Sequence, residues 1–233
     1  MSSRQFVLDF EHRPALQGED FLVAPSNSQA VAWIDRWPDW PSPALVIHGD
    51  SGCGKTHLAQ VFRAKTNARN ISPMELLNHE PPALLENAKA CLLDDMDMAF
   101  KGAPKAELEE ALLHLYNVVR EQGATLMMTA KAPPARWGLD LPDLTSRLKT
   151  ATAVDIGPPD DALLAAVMVK QFSDRQIRID GDVLAFVQAR IERSFDAIGR
   201  FVQATDKLAM AEKRRITIPL VKRVMQELNN VKE

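Results

Sequence analysis

The chain has 233 residues, 46% of them hydrophobic and 25% charged, with a formal net charge of −3. This is the profile of a globular protein long enough to bury a real core, as one large domain or two small ones. The charge argues against sequence-independent duplex binding as the main activity, no apolar run is long enough to span a bilayer, and the N-terminus lacks a signal-peptide hydrophobic region. The cysteines, Cys53 and Cys91, are expected as free thiols in a reducing cytoplasm.

In chain order, the first dozen residues stand apart and end near Arg13-Pro14. An approach segment follows from Glu19 to Asn27, then a helix over Ser28 to Arg36. Three prolines in Trp37-Pro38-Asp39-Trp40-Pro41-Ser42-Pro43 end that helix, because they exclude regular hydrogen bonding. Ala44 to His48 reads as a buried strand, and Thr56 to Ala64 as a helix. Further strands are expected near Asn70-Ile71, Ala90 to Leu93, Thr125 to Thr129 and Thr152 to Ile156. Between them, Glu107 to Gln122 has Leu108, Ala111, Leu112, Leu115, Val118 and Val119 on one face, with Gly123 as its C-terminal stop. The alternation predicts an α/β fold, a five-stranded parallel sheet flanked by helices.

Gly157-Pro158-Pro159-Asp160 marks a boundary, and the pattern beyond it is helical only. Asp161 to Ser173, Asp182 to Glu192, Phe195 to Ala211 and Pro219 to Leu228 are the expected helices, with Asp160, Asp180, Ser194 and Thr217 as N-caps. The organisation read from the sequence is a tail at 1–13, an α/β core at 14–157 and a small all-α domain at 158–233.

Two motifs carry the chemistry. Gly49-Asp50-Ser51-Gly52-Cys53-Gly54-Lys55-Thr56 fits G-x-x-x-x-G-K-[ST], placed between a strand and a helix. Such a loop turns its N–H groups inward as an anion nest, and the helix start adds its dipole. Lys55 would reach the β- and γ-phosphates and the Thr56 hydroxyl would hold Mg²⁺. Some forty residues on, Cys91-Leu92-Leu93-Asp94-Asp95 ends an apolar strand in two carboxylates. Asp94 would hold Mg²⁺ through water and Asp95 would orient or polarise an attacking water. Asp97 reads as a solvated neighbour. His48, His57, His79 and His114 lack metal-ligand spacing. Lys213-Arg214-Arg215 with Lys222 and Arg223 reads as a solvated helix end, so direct DNA contact is not expected as a primary role.

These motifs and the trailing helical region resemble the AAA+ class of ATPases. Gly54-Lys55-Thr56-His57-Leu58, Leu92-Leu93-Asp94-Asp95-Met96 and Leu141-Pro142-Asp143-Leu144-Thr145-Ser146-Arg147-Leu148 narrow the resemblance to the DnaA family of bacterial replication initiators, as does Asp20-Phe21-Leu22-Val23 with Ser26-Asn27. It covers roughly residues 19 to 228. It implies an AAA+ core with a helical lid, and ATP or ADP with Mg²⁺ as cofactors. Phe21, Leu22 and Val23 would lie on the adenine side, Gly52, Cys53, Gly54, Lys55, Thr56 and His57 at the phosphates, and Thr129 as polar sensor. Lys131 stands where the family commonly has an acid, and Phe195 where the lid usually supplies an arginine, which implies weak intrinsic ATPase activity. Arg147 falls in the family's arginine-finger motif.

The sequence departs from an initiator in two ways. The chain stops at Glu233, where the DNA-reading helix-turn-helix domain would begin. Its tail, Gln5-Phe6-Val7-Leu8-Asp9-Phe10, looks like the Q-x-x-L-x-F peptide that enters the pocket of the polymerase sliding clamp (β subunit), with Gln5, Leu8 and Phe10 as anchors. The combination implies a cytoplasmic regulator that uses Arg147 in trans on ATP bound to DnaA. Its partners would be the clamp and DnaA, with a homo-oligomer left open and no membrane. A helicase-loader-like or other DNA-associated AAA+ ATPase is the alternative, and a small-molecule kinase a more distant one.

Overall fold

The computed structural model describes residues 12–13, 21–102, 104–212 and 214–230. The tail residues Gln5, Leu8 and Phe10 and the side chain of Phe21 lie outside that description. Two compact units result, Arg13–Gly157 and a second built from Pro158 onward.

In chain order come β1 (His12–Arg13) and β2 (Phe21–Leu22), followed by α1 (Ser28–Asp35), β3 (Ala44–His48) and α2 (Lys55–Thr66). Next come β4 (Arg69–Asn70), α3 (Pro73–Asn78), α4 (Pro81–Leu85), β5 (Ala90–Leu93), α5 (Met96–Gly102) and α6 (Lys105–Glu121). The first unit ends with β6 (Thr125–Ala130), a 3₁₀ turn at Pro134–Arg136, α7 (Pro142–Lys149) and β7 (Thr152–Asp155). The main sheet has the order β4-β5-β6-β3-β7, and its pairings are all parallel, as expected.

Strands β3, β5 and β6 are near-continuous apolar runs because helices cover both faces of the sheet. Successive side chains alternate between two cores. Val46, Cys91, Leu93, Leu126 and Met128 pack with Leu108, Leu112 and Leu115 of α6 and Leu144 and Leu148 of α7. Leu45, Ile47, Leu92, Met127 and Val154 pack with Ile34 of α1 and Leu58 and Phe62 of α2. Trp40 stacks on Phe62 with centroids 5.5 Å apart, and Trp37 meets the same ring edge-on at 6.5 Å. Gly123 has φ 62°, the left-handed conformation that a helix stop requires.

The second unit has α8 (Asp161–Asp174), α9 (Gly181–Gln188), α10 (Phe195–Glu212) and α11 (Ile218–Asn230) around a core that includes Phe172, Val187, Ile198, Phe201 and Val221. Two of the expected caps form with their side chains. Asp160 accepts from Leu163 N–H at 2.7 Å, and Ser194 from Ala197 N–H at 3.1 Å. Asp180 holds the N-cap position of α9 without a side-chain cap bond. Helix α9 ends at Gln188, four residues short of the expected Glu192. Among the described residues no helix is long and apolar enough to cross a membrane.

Candidate nucleotide and arginine-finger sites

The sheet order sets the first site. Strand β3 lies between β6 and β7 although both follow it by many residues, and the crevice at the carboxyl end of such a strand is where open α/β sheets bind ligands. The loop from Gly49 to Gly54 fills that end and runs into α2. Gly52 and Gly54 have φ of 72° and 102°, conformations that residues with a side chain rarely adopt. At Gly49 a Cβ would stand 2.5 Å from the Ile156 carbonyl oxygen, so only glycine lets the loop leave the sheet there. Gly54 caps α2 without a side-chain bond, which leaves the first-turn N–H groups to a ligand.

Lys55 is buried, and its Nζ donates to the carbonyls of Gly49 at 2.8 Å and Asp50 at 2.9 Å. Thr56 is exposed and His57 half-buried. Burial pushes the pKa of the Cys53 thiol up, while the Lys55 ammonium pulls it down, so Cys53 serves as packing under the loop.

Asp94 and Asp95 follow β5 directly. Thr129 is wholly buried near the end of β6 and joins them: its hydroxyl donates to Asp94 Oδ1 and accepts the Asp95 N–H at 3.0 Å. The register that pairs Leu93 with Met128 brings these residues side by side. Asp95 adopts a left-handed φ of 52°. Desolvation pushes its carboxyl pKa up, Asp94 and Asp97 add to that, and Lys55 opposes it. The expectation for Asp97 is corrected: it is not merely solvated, since its Oδ1 accepts the Lys131 N–H at 2.9 Å and ties α5 to the end of β6. His48 is also engaged, with Nδ1 3.1 Å from Asp155 Oδ1, and burial lowers its pKa against the pull of that carboxylate.

The approach segment is stapled by Asn27, which is buried. Its Nδ2 donates to the Leu22 carbonyl at 3.0 Å and its Oδ1 accepts from Ala24 N–H at 2.9 Å. Leu22 is buried and Val23 packs on the core cluster that holds Ile156. Within the lid, Phe195 begins α10 and packs on the lid core, while Arg193 pairs with Asp161 at 3.1 Å.

Arg147 sits on α7, one turn after Leu144, and is half-buried. Among the described residues its guanidinium has no hydrogen-bond or ion-pair partner. The helix start is held from another element. Glu109 of α6 is 1% exposed and accepts from the N–H groups of Asp140 at 3.0 Å and Leu141 at 2.6 Å. Lys105, one turn earlier, donates to the Gly138 carbonyl and to Asp140 Oδ2, each at 2.6 Å. Sequence reasoning did not single out Glu109, which stands with Glu107 and Glu110 in a run of acids.

A glycine loop feeding a helix, a buried lysine at its base, a strand ending in two acids and a threonine that joins the Asp94 carboxylate to the Asp95 N–H define a P-loop module with the AAA+ fold. Comparison with known proteins agrees. The family model of the Hda lid domain matches residues 160–225. An uncharacterised protein of Haemophilus influenzae is 27% identical over 192 residues, covering 80% of this chain and 83% of that one. The chromosomal replication initiator DnaA of Cutibacterium acnes is 24% identical over 237 residues, covering 92% of this chain and 47% of DnaA, so the chain spans about half of that relative. Domain III of Thermotoga maritima DnaA superposes with a TM-score of 0.79 at 18% identity, covering 93% of this chain and 98% of that one. AMPPCP-bound DnaA from Aquifex aeolicus gives 0.70 at 17% identity, covering 94% and 71%. Residues 160–225 thus match the Hda lid-domain family, and the chain as a whole is similar to DnaA in sequence and to DnaA domain III in fold.

Proposed function

We infer that this protein is a regulator of replication initiation of the Hda type: it binds an adenine nucleotide and the sliding clamp, and promotes hydrolysis of ATP held by DnaA. The observation that carries this reading is Arg147, set in a DnaA-type motif on α7 with a guanidinium that no described residue of its own chain engages. An arginine so placed suits a site in a neighbouring subunit, where it would stabilise charge on the γ-phosphoryl group in transfer. In GTPases such a finger contributes roughly 10³ to 10⁵ in rate.

The chain's own site fits ATP or ADP with Mg²⁺. The amides from Gly52 to Gly54 form the nest, and Lys55 exchanges its two carbonyl partners for phosphate oxygens. Among the described residues no group of three His, Cys, Asp or Glu could hold a metal. Mg²⁺ would therefore depend on the phosphates, with Thr56 and a water held by Asp94 completing it. When bound, the metal supplies charge neutralisation at the phosphates. Asp95 would orient water, and Thr129 holds the Asp94 carboxylate and the backbone of Asp95. Phe195 in place of a lid arginine, with Arg193 engaged by Asp161, favours a slow intrinsic turnover.

The test is hydrolysis of ATP pre-bound to DnaA, measured with clamp loaded on DNA. The parent chain accelerates it. Arg147→Ala removes the acceleration, and alanine at Gln5, Leu8 and Phe10 removes clamp binding and acceleration together. Full acceleration by Arg147→Ala would sink the mechanism. Hydrolysis stimulated by DNA alone, with the tail dispensable, would favour a helicase-loader-like role.

A further inference from the structure

The geometry points to Glu109 as the residue that positions the arginine finger, acting as a cap supplied to α7 by a different helix. This inference rests on the trans-acting role of Arg147 proposed above. Helix α7 is only eight residues long, and its N-cap, Leu141, has no side chain able to bond the helix start. The two donors just ahead of the helix, the N–H groups of Asp140 and Leu141, find their acceptor on another element. Both point at one carboxylate, Glu109, which approaches from α6.

Burial makes this acid informative. A carboxylate is almost never fully buried unless it is paired and hydrogen-bonded. Glu109 is 1% exposed, so the fold has accepted the cost of removing a charge from water at this place. Its partners are two N–H groups, with the Lys105 ammonium 3.7 Å away. A negative charge at a helix start also complements the helix dipole. A second anchor reinforces the first, since Lys105 grips Gly138 and Asp140, the residues immediately upstream.

The apolar contacts alone do not fix the helix. Leu144 and Leu148 press α7 onto α6 and the sheet, but contacts of this kind tolerate sliding and rotation. The hydrogen bonds of Glu109 are directional and set the height and rotation of the first turn. Arg147 lies in the last turn of the same short helix, so a tilt at Leu141 carries directly to the guanidinium. A misplacement of about 1 Å is enough to cost roughly 100-fold in a positioned reaction. Glu109 touches no nucleotide in this arrangement. It is a positioning residue for the finger.

The test is a double-mutant cycle with ATP-loaded DnaA as probe and clamp on DNA present. Glu109→Gln keeps the side-chain shape but turns an amide N–H₂ toward one of the two backbone donors. We expect roughly a 10- to 100-fold loss in the maximal stimulated rate, with the concentration giving half-maximal stimulation unchanged and ADP affinity of the chain itself unchanged. In an Arg147→Ala background Glu109→Gln should add nothing. Lys105→Met, which cuts the more exposed anchor and leaves the buried one, should lose a smaller factor, and it provides the reading if Glu109→Gln does not fold. A maximal rate within twofold of the parent for Glu109→Gln, or for Lys105→Met where that variant stands in, overturns the inference. So does a further loss in the Arg147→Ala background. If Arg147→Ala itself keeps full stimulation, the finger reading falls first, and its failure is separately visible.

Discussion

Thr129→Val tests whether the end of β6 is held by chemistry rather than shape. Valine keeps the volume and branching of threonine, so no cavity opens in a residue that has no exposed surface. What disappears is the hydroxyl, with its donation to Asp94 and its acceptance of the Asp95 N–H at 3.0 Å. A hydrogen bond to a charged group contributes roughly 1.5–3 kcal/mol and a neutral one about 0.5–1.5 kcal/mol. The buried methyl of valine returns about 0.8 kcal/mol. The expected net loss in unfolding free energy is therefore about 1–4 kcal/mol, read by urea titration with circular dichroism. Thr129→Ser retains both bonds and serves as the control. A valine variant within about 0.5 kcal/mol of the parent, below the smallest single bond in that sum, would refute the reasoning.

Phe62→Ala removes the ring between Trp37 and Trp40 and should destabilise by about 3–5 kcal/mol in the same titration. Asp160→Ala removes the cap bond to Leu163 and should cost about 1 kcal/mol, with Asp160→Asn close to the parent. Asp95→Asn should raise thermal stability at neutral pH. The folded chain holds the Asp95 proton more tightly than the unfolded chain does, so the parent loses stability as pH rises from the unfolded carboxyl pKa, about 3.9, through the raised folded value. The asparagine variant escapes that loss, and its left-handed φ suits asparagine. Its advantage in melting temperature should vanish below pH 4.

The nucleotide loop was legible in the sequence because its requirements are local: glycines where side chains collide, a lysine and threonine at fixed offsets, an apolar strand before and a helix after. The central strands were legible because burial on both faces forces long apolar runs. The short helices α3, α4 and α5 were not, since five to seven residues cannot display a 3.6-residue period. A signal for α3 was nonetheless present, because Ser72 and Glu75 form a complete capping box ahead of Leu76. Glu109 and Asp97 were missed for a tertiary reason. In sequence each is one acid among neighbours, and only the arrival of a distant backbone N–H distinguishes it from a solvated charge.

The two missed acids share an arrangement with Asp94. Asp94, Asp97 and Glu109 all precede the segment from Thr129 to Leu141, and each fastens a successive point of it: Asp94 at Thr129, Asp97 at Lys131, Glu109 at Asp140 and Leu141. Trp137 adds an internal tie, its Nε1 donating to the Ala132 carbonyl at 2.7 Å. A connection between a strand and a helix ordinarily has the freedom of a loop. Here it is bound at both ends and in the middle, by acids from the end of β5, from α5 and from α6 and by its own tryptophan. The segment leading to Arg147 is thereby tied by directional bonds to Asp94 at the end of β5, to α5 and to α6. The trans-acting role proposed for Arg147 calls for that kind of fixed frame, because a guanidinium on a loose loop would have to be ordered anew at every encounter.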